Sequence, residues 1–474
     1  MAAAYLLCSQ AIRLRRRGSH ACRPWLQSWA RRPNRVLGAE VPPRRSVSGI
    51  PARVAAQSIL AEVLHRRRQL DQAADSVLTA AKLQPRDAGF ARAIANETLR
   101  RLGQLQSVVH HFVPKLPPQH RAGSTLEILL AGACEILFLE TAMHAAVNAA
   151  NEMASRDAKA VHFKPLINAV LRRISTEGAA VVASQDSARL NTPDWLWSRW
   201  CTHYGEETTR RIAAAHLKQA PIDINVKSDA SSLPEGMPLR GGMLRLRQAG
   251  DIEELPGFLD GEWWVQDFAA SFPARLLGDV RGHKVIDLCA APGGKCAQLA
   301  AAGADVIAVD REPQRIRRLQ ENLARLKLEA ELVQADVRDF IPRERVPFVL
   351  LDAPCSATGT IRRHPDLPWI KNAADVNTCA DAAAELLDAA AAMVADGGML
   401  VFAVCSLEQE EGREQVESFL ARNTAFRRAP IEAEETFGMA ELISEGDLRT
   451  LPCHMAEQGG MDGFYAARLR RSGR

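Results

Sequence analysis

Two cysteines in the C-terminal half of the chain stand where a thiol could attack a substrate. Cys355 ends the segment Asp352-Ala353-Pro354-Cys355, which follows the apolar run at 348–351, and Cys405 directly follows the apolar run at 399–404. A thiol that lies near carboxylates and a bound cofactor can act as a covalent nucleophile. A lone cysteine at such a place is more often an inert core residue, whereas two of them beside a cofactor turn favour catalysis.

A glycine turn upstream of both cysteines has the form of a nucleotide-binding loop. Residues 284–310 run from a short apolar strand through the turn Pro292 to Gly294 into an Ala-rich helical segment, and then into a second apolar strand that ends on Asp310. Glycines let backbone amides approach a ligand closely, and an acid about 20 residues further on can bind ribose hydroxyls. Because the turn lacks the GxGxxG spacing, it would be a weak signal without the two thiols.

The two cysteines and the glycine turn can form one site only if a sheet brings the ends of their strands together. Short apolar runs alternate with helical segments after residue 265, at 285–288, 306–309, 332–335, 348–351 and 399–404. This alternation predicts a mostly parallel, doubly wound α/β sheet with helices on both faces. Ligands bind at the carboxyl ends of the strands in such a sheet, so we expect convergence there of Asp310, Asp336, Asp352, Cys355 and Cys405.

The N-terminal half lacks this alternation. From 51 to about 174, apolar residues recur at helical spacing with Pro and Gly between the segments, which predicts an all-α bundle of about six or seven helices. Residues 187–255 are richer in Pro, Gly and Ser and contain a strand-like run at 221–227. We therefore divide the chain into a disordered Arg-rich leader at 1–49, a helical domain at 50–180, a connector or small α/β subdomain at 187–255 and a catalytic domain at 256–474.

Positive charge is concentrated in the leader. Residues 1–49 contain ten Arg and one acid, Glu40, for a net charge of +9, while the remainder contains 50 basic and 55 acidic residues, for −5. A nucleic acid would therefore bind through local patches rather than through the overall charge. The leader's composition is typical of an organellar transit peptide. A disordered tail, or translation from an upstream start codon of a bacterial gene, remains an open alternative.

The basic residues outside the leader allow two interpretations of their role. Those of the helical domain form either solvated helix faces or an RNA-docking face, and they include Arg66, Arg67, Arg68, Arg100, Arg101, Arg172 and Arg173. In the catalytic domain, Arg362, Arg363 and His364 are potential phosphate contacts.

Composition excludes several other classes of protein. No apolar run approaches the roughly 18 residues of a membrane span. The chain is 47% hydrophobic and 24% charged, as in ordinary globular proteins. None of the ten cysteines forms a CxxC pair, which argues against zinc and disulfide frameworks and indicates a reducing compartment.

Three motifs together resemble those of a known enzyme family. The segments DLCAAPGGK at 287–295, LLDAPCSATG at 350–359 and VCS at 404–406 resemble the motifs of the RNA 5-methylcytosine methyltransferases that use S-adenosylmethionine. The helical domain, which ends in INAVLRR at 167–173, resembles the antitermination factor NusB. The combination resembles the Sun or Fmu family of bacterial small-subunit (16S) rRNA methyltransferases over about residues 51–470.

The resemblance implies a Rossmann-like methyltransferase domain with S-adenosylmethionine as its cofactor. Asp310 would hold the ribose hydroxyls, Asp336 would lie near the adenine, and Asp352 would lie beside both the cofactor and the target base. Cys405 would be the nucleophile and Cys355 would help to release the product. The loop around the cofactor would consist of Cys289, Ala290, Ala291, Pro292, Gly293, Gly294 and Lys295. Val404 stands where the family usually has Thr, and Cys296 likewise replaces a common Thr.

The resemblance further implies the reaction and the partner. The expected activity is methylation of carbon 5 of a specific cytosine in free or early-assembly small-subunit rRNA, through a covalent cysteine-cytosine adduct. Arg311, Arg315, Arg317 and Arg318, together with Arg362 and Arg363, would supply the positive rim of the RNA site. The same chemistry on tRNA or large-subunit rRNA remains open, as does a non-catalytic NusB-like RNA-binding factor. A dinucleotide-dependent dehydrogenase is disfavoured because the two cysteines would have no role in it. We expect a monomer without metal or membrane association in the bacterial cytoplasm, or in an organelle if residues 1–49 are a transit peptide.

Overall fold

The computed structural model describes residues 49–247 and 250–473. The predicted leader at 1–49 lies outside the described residues, apart from Gly49. The described residues form a helical bundle, a small antiparallel sheet and a large mixed sheet. Within these ranges, no helix combines the length and the apolar character that a bilayer crossing requires.

The N-terminal bundle is all-α, as predicted. Pro85 occupies the first turn of its helix, where a missing N–H costs nothing, and Gly123 ends a short helix with a positive φ of 57°. The most apolar helix, at 125–137, is buried along most of its length at the centre of the bundle. The helices are α1 (Ile50–Arg66), α2 (Leu70–Ala81), α3 (Pro85–Arg100), α4 (Leu102–Phe112), α5 (Gln119–Ala122), α6 (Thr125–Leu137), α7 (Met143–Arg156) and α8 (Lys164–Ala183).

A connector with its own small sheet follows the bundle. Its helices are α9 (Ser187–Leu190) and α10 (Asp194–His216), and its strands are β1 (Asp223–Val226), β2 (Gly236–Leu239), β3 (Met243–Leu246) and β4 (Trp263–Val265). The four strands are antiparallel in the order β2-β3-β1-β4. Because β4 pairs with β1, the small sheet extends past residue 255, where the sequence places the end of the connector.

The catalytic domain is built on a nine-stranded sheet. Strands β5 to β9 are parallel to one another, and the remaining four are antiparallel, in the order β11-β12-β13-β9-β8-β5-β6-β7 with β10 paired to β13. The strands are β5 (Lys284–Leu288), β6 (Asp305–Asp310), β7 (Glu331–Gln334), β8 (Val346–Asp352), β9 (Val394–Val404), β10 (Phe426–Arg428), β11 (Ile443–Ser444), β12 (Asp447–Thr450) and β13 (Phe464–Arg471). All five predicted strand runs are present, and the mostly parallel core of the predicted sheet is confirmed.

Helices cover both faces of this sheet. The helices of the domain are α11 (Phe272–Arg275), α12 (Gly294–Ala301), α13 (Pro313–Leu326), α14 (Leu367–Ile370), α15 (Ala373–Ala392) and α16 (Arg413–Arg422). Apolar residues of α12 and α13 pack with Val285 on one face, while those of α15 and α16 pack with Ile286 on the other. Successive strand residues point to opposite faces, so each central strand is buried on both sides. The doubly wound arrangement is confirmed.

The predicted phosphate contacts Arg362 and Arg363 are wrong. The Arg362 side chain is only 1% exposed, and its guanidinium lies 3.2 Å from Asp462 Oδ1. Arg363 donates to Asp267 Oδ2 at 2.6 Å and to Asp462 Oδ2 at 2.8 Å. A buried guanidinium needs carboxylate partners to offset its lost hydration, and here those partners come from distant parts of the chain. The two arginines therefore join the connector to the C-terminal segment.

The helical domain packs directly on the catalytic domain. Arg100 is buried and donates to the carbonyl oxygens of His216 at 3.0 Å and Arg362 at 2.9 Å. Arg67 donates to the carbonyl oxygen of Ile370 through Nε at 3.0 Å and through a terminal nitrogen at 2.6 Å. Arg100 therefore belongs neither to a solvated face nor to a free RNA-docking face, whereas Arg67 remains 53% exposed while it contacts the catalytic domain. Both arginines bind across the domain interface. They hold the two domains in one orientation.

Candidate active site

The two predicted thiols meet at the carboxyl edge of the sheet. Strands β8 and β9 are parallel neighbours, with Asp352 opposite Ala403. Cys405 directly follows β9, and Cys355 lies three residues beyond the end of β8. Their sulfur atoms are 3.5 Å apart. Such a separation places both thiols against the same small group of substrate atoms.

The electrostatics of the pair distinguish the two thiols. The hydrogen bond with Cys405, followed by burial and the neighbouring charge, raises the pKa of the Cys355 thiol well above its usual value. Two close thiols share their protons, since the loss of one disfavours the loss of the second. Cys355 therefore keeps its proton in the resting pair.

The glycine turn forms the loop between β5 and α12. Cys289 has a positive φ of 59°, and Gly293 has a φ of 108° directly before α12 begins. A Cβ at position 293 would lie 2.5 Å from Leu319 Cδ1, so only glycine fits beneath α13. The first N–H groups of a helix lack intrahelical acceptors, which leaves the start of α12 able to bind an acidic or polar ligand group.

Carboxylates fix this loop to the neighbouring strands. Asp310 at the end of β6 is buried and accepts a hydrogen bond from the backbone N–H of Ala291 at 3.2 Å. Lys295 donates to Asp352 Oδ2 at 2.7 Å and lies over the ring of Phe464. The loop, β6 and β8 thus form one connected group of polar contacts.

Asp336 has a different environment from the other predicted carboxylates. It follows the edge strand β7 and accepts hydrogen bonds from the guanidinium and the backbone N–H of Arg338 at 2.8 to 3.0 Å. These bonds lower the pKa of its carboxyl group to about 2. Asp336 is therefore ionised at all physiological pH values, and its role near an adenine remains a prediction.

A cavity of about 340 Å³ opens between the catalytic and helical domains. Cys405 and Asp352 lie on its wall together with Arg315 of α13. The helical domain also lines the cavity, through Gln69 before α2 and through Leu70 and Asp71 in the first turn of α2. This volume is within the range of about 300 to 1,000 Å³ typical of small-ligand pockets, so the cavity can accept one extruded base.

Contacts across the domain interface hold that wall in place. The backbone N–H of Leu70 donates to Asp366 Oδ2 at 2.9 Å, and Asp71 lies 3.5 Å from His364 Nδ1. Burial raises the pKa of Asp366 to about 6. The contribution of the helical domain to the cavity was not predicted, because contacts between residues about 300 positions apart leave no local pattern in the sequence.

Two buried acids of the site were also not predicted. Asp287 is fully buried in β5, and neither of its carboxylate oxygens has a hydrogen-bond partner. Burial raises its pKa to about 8, and the nearby charges of Asp352 and Asp310 add to the shift against the opposing charge of Lys295. The sequence did contain one signal for Asp287, because an acidic residue stands there within an otherwise apolar strand.

Glu411 is the second buried acid. It binds Ser356 and Ser406, the serines that follow the two cysteines.

Comparisons with known proteins identify the family. The family description "16S rRNA methyltransferase RsmB/F" matches residues 274–470, and the NusB family matches residues 50–176. Ribosomal RNA small subunit methyltransferase B of Pseudomonas putida is 34% identical over 442 residues, which cover 88% of this chain and 98% of that protein. This chain belongs to the 16S rRNA methyltransferase RsmB/F family. The resemblance predicted from the motifs is confirmed.

Further relatives agree with this assignment. The enzyme of the same name from Vibrio cholerae is 33% identical over 440 residues, which cover 88% of this chain and 97% of that protein. The crystal structure of PH0851 matches with a TM-score of 0.69 at 22% identity, over 91% of this chain and 100% of that one. At that identity the structural match supports the fold alone. The described residues contain no group of three or more His, Cys, Asp or Glu side chains arranged to hold a metal ion.

The buried acid predicts a pH-dependent stability. The pKa of Asp287 is about 8 in the folded protein, against about 3.9 for an ordinary Asp. The native state therefore binds an extra proton between these values, and the free energy of unfolding falls as the pH rises through this range. Asp287→Asn has no proton to lose. We expect its melting temperature to exceed that of the wild type at about pH 8.5, with the gain shrinking toward about pH 5.

The measurement is calorimetric unfolding at several pH values. Asp305→Asn, at an exposed position of β6, is the matched control and should follow the wild-type curve. Parallel curves for Asp287→Asn and the wild type across this pH range would show that Asp287 has an ordinary pKa.

Proposed function

We propose that this protein transfers a methyl group from S-adenosylmethionine to carbon 5 of a cytosine in small-subunit rRNA, through a covalent bond between Cys405 and the base. The 3.5 Å separation of the Cys405 and Cys355 sulfurs, beside the joined pair Lys295 and Asp352, is the observation that supports this chemistry best. Membership of the RsmB/F family supports the RNA substrate.

The loop between β5 and α12 fits the cofactor. Gly293 permits a close backbone approach, and the start of α12 offers unpaired N–H groups to the polar end of the molecule. Asp310, at the end of β6, would hold the ribose hydroxyls, and Asp336 would lie near the adenine. Asp352 and Lys295 would lie between this loop and the target base. When bound, S-adenosylmethionine supplies an electrophilic methyl group.

Cys405 would begin the reaction. Carbon 5 of cytosine is a poor nucleophile, but addition of the Cys405 thiolate to carbon 6 converts the ring to an enamine whose carbon 5 can accept the methyl group. Negative charge develops at ring nitrogen 3 during this addition. Asp352 in its acid form would stabilise that charge by donating a hydrogen bond to nitrogen 3, while the ammonium group of Lys295 lies 2.7 Å from Asp352 Oδ2.

Cys355 would complete the reaction. After methylation, the proton on carbon 5 must leave, and the electrons of that C–H bond form the ring double bond as the Cys405 sulfur departs from carbon 6. Before the reaction, the hydrogen bond with Cys405 keeps Cys355 protonated. Once the Cys405 sulfur is bonded to carbon 6, it is neutral and no longer disfavours a thiolate at Cys355. That thiolate can then accept the proton from carbon 5. The pair therefore acts in a fixed order, with Cys405 first.

The RNA would approach across both domains. Arg311, Arg315, Arg317 and Arg318 are exposed on and before α13, and Arg315 lines the cavity, so this group can bind phosphates beside it. Gln69, Leu70 and Asp71 of the NusB-like domain also line the cavity. The target cytosine would have to be unstacked to reach Cys405. We expect the protein to act as a monomer without a metal ion, in the bacterial cytoplasm.

Bisulfite sequencing of ribosomal RNA tests this function. In cells that lack the gene, one cytosine of the small-subunit rRNA should convert fully, whereas in wild-type cells it should be protected. A protected cytosine in tRNA or large-subunit rRNA that depends on the gene would instead move the substrate to that RNA.

Replacing the proposed nucleophile separates chemistry from binding. Cys405→Ala removes the sulfur that adds to carbon 6, so methyl transfer to RNA should fall to background. S-adenosylmethionine binding should be retained, because the cofactor loop lies on β5 rather than β9. Radiolabelled methyl transfer and isothermal titration measure the two properties. Full transfer by the variant would reject the role of Cys405.

Replacing the second thiol should stop the reaction after methyl transfer. In Cys355→Ala no group removes the proton on carbon 5, so the Cys405 adduct should persist. A denaturing gel of the variant incubated with RNA and cofactor should then show a slower band that the wild type lacks. Cys201→Ala, which removes a partly buried thiol on α10, is the matched control. The absence of a shifted band would contradict the role of Cys355.

A further inference from the structure

The spacing of the two thiols is set by loops rather than by strands. Cys355 lies beyond the last residue of β8, and Cys405 follows the last residue of β9. Each cysteine is followed by a serine, Ser356 or Ser406, and both serines are fully buried. The backbone pairing of β8 with β9 ends at Asp352 and Ala403. Other contacts must therefore determine where the two sulfurs lie.

One buried carboxylate joins both serines. Glu411 lies between β9 and α16, and its side chain is inaccessible to solvent. Its Oε1 accepts the backbone N–H of Ser356 at 2.6 Å, and its Oε2 accepts the Ser356 hydroxyl at 2.6 Å. The same Oε2 accepts the hydroxyl of Ser406 in a short hydrogen bond. Glu411 is thus bonded to the residue that follows each reactive cysteine.

We propose that Glu411 is the positioning residue that holds the Cys405 and Cys355 sulfurs at the spacing their successive steps require. The inference rests on the proposed function for its catalytic consequence. Carbons 5 and 6 of a pyrimidine are bonded neighbours, so the two thiols must act on adjacent atoms at nearly the same position. Charge-assisted hydrogen bonds to a carboxylate are short and strong, which suits them to fixing such a distance.

The proposed positioning role of Glu411 can be separated from a role in stabilising the fold. Further along the same loops, Leu407 N–H donates to Thr358 Oγ1 at 3.0 Å, and Gly359 N–H donates to the carbonyl oxygen of Cys405 at 3.1 Å. These bonds join the two loops without Glu411. Its removal should therefore loosen the cysteine ends of the loops while the domain remains folded.

Glu408 offers a matched control three residues away. It is equally buried, but it binds Arg199 at 2.8 Å and the indole N–H of Trp200 at 3.0 Å, both on α10. Its carboxylate joins the connector to the catalytic domain and does not bind the serines. Glu408→Gln and Glu411→Gln remove comparable buried charges, but only the second alters the thiol loops.

The first measurement follows the adduct. Methyl transfer needs only Cys405, whereas release needs Cys355 at the adjacent carbon, so Glu411→Gln should slow release more than addition. We expect kcat to fall about tenfold to a hundredfold, as for small misplacements of reacting groups. The KM for S-adenosylmethionine should not change, and an RNA adduct should accumulate on a denaturing gel. Ser406→Ala, which removes one of the bonds, should act in the same direction.

The second measurement does not depend on RNA. Diamide accepts two electrons and two protons from a pair of adjacent thiols and leaves them as a disulfide, and the rate of this reaction reports how often the sulfurs meet. Peptide mass spectrometry identifies the Cys355 to Cys405 bond. We expect it to form at least about tenfold more slowly in Glu411→Gln than in the wild type or in Glu408→Gln.

The outcomes are distinguishable. If Cys355→Ala accumulates an adduct and Glu411→Gln does not, or if both glutamate variants slow oxidation alike, Glu411 has no specific positioning role. If the wild type neither methylates RNA nor forms an adduct, the proposed function fails. In that case the diamide rates alone decide whether Glu411 sets the spacing.

Discussion

The proposed chemistry depends on the parallel pairing of β8 and β9. Each strand delivers a cysteine to the same edge of the sheet, and the pairing places those cysteines on neighbouring loops. Buried strands are rigid, and Val349 of β8 lies opposite Leu400 of β9 within one buried cluster, so core packing fixes the position of each strand end. The final approach of the two sulfurs to 3.5 Å is then made by short polar loops.

The site contains more buried charge than a sheet edge requires for stability. Asp287, Asp310, Lys295 and Glu411 are all buried around the same loops. Burying an ionisable group costs free energy unless it is paired, and Asp287 has no hydrogen-bond partner. Perturbed acids of this kind are concentrated at functional sites. The pattern agrees with the proposed binding of a polar cofactor beside the two thiols.

The helical domain is part of the site rather than an appendage. The guanidinium of Arg67, the backbone N–H of Leu70 and the buried Arg100 all bind atoms of the catalytic domain. These contacts bring Gln69, Leu70 and Asp71 to the wall of the cavity that Cys405 also lines. In a family that combines a NusB-like domain with a methyltransferase domain, this packing explains why the two units occur in one chain: each lines part of the cavity.

The amino-acid sequence by itself determined the local elements and the residues with chemical potential. Alternating apolar runs predict strands β5 to β9, and parallel strands must present their carboxyl ends at one edge, so the sequence alone places Cys355, Cys405 and Asp352 together. Tertiary structure decided the rest. Arg362 and Arg363 have the composition of a phosphate site, yet their partners Asp267 and Asp462 lie about a hundred residues away. Side-chain partners, burial and the shift of a pKa depend on distances between remote segments, and no local pattern of residue types encodes those distances.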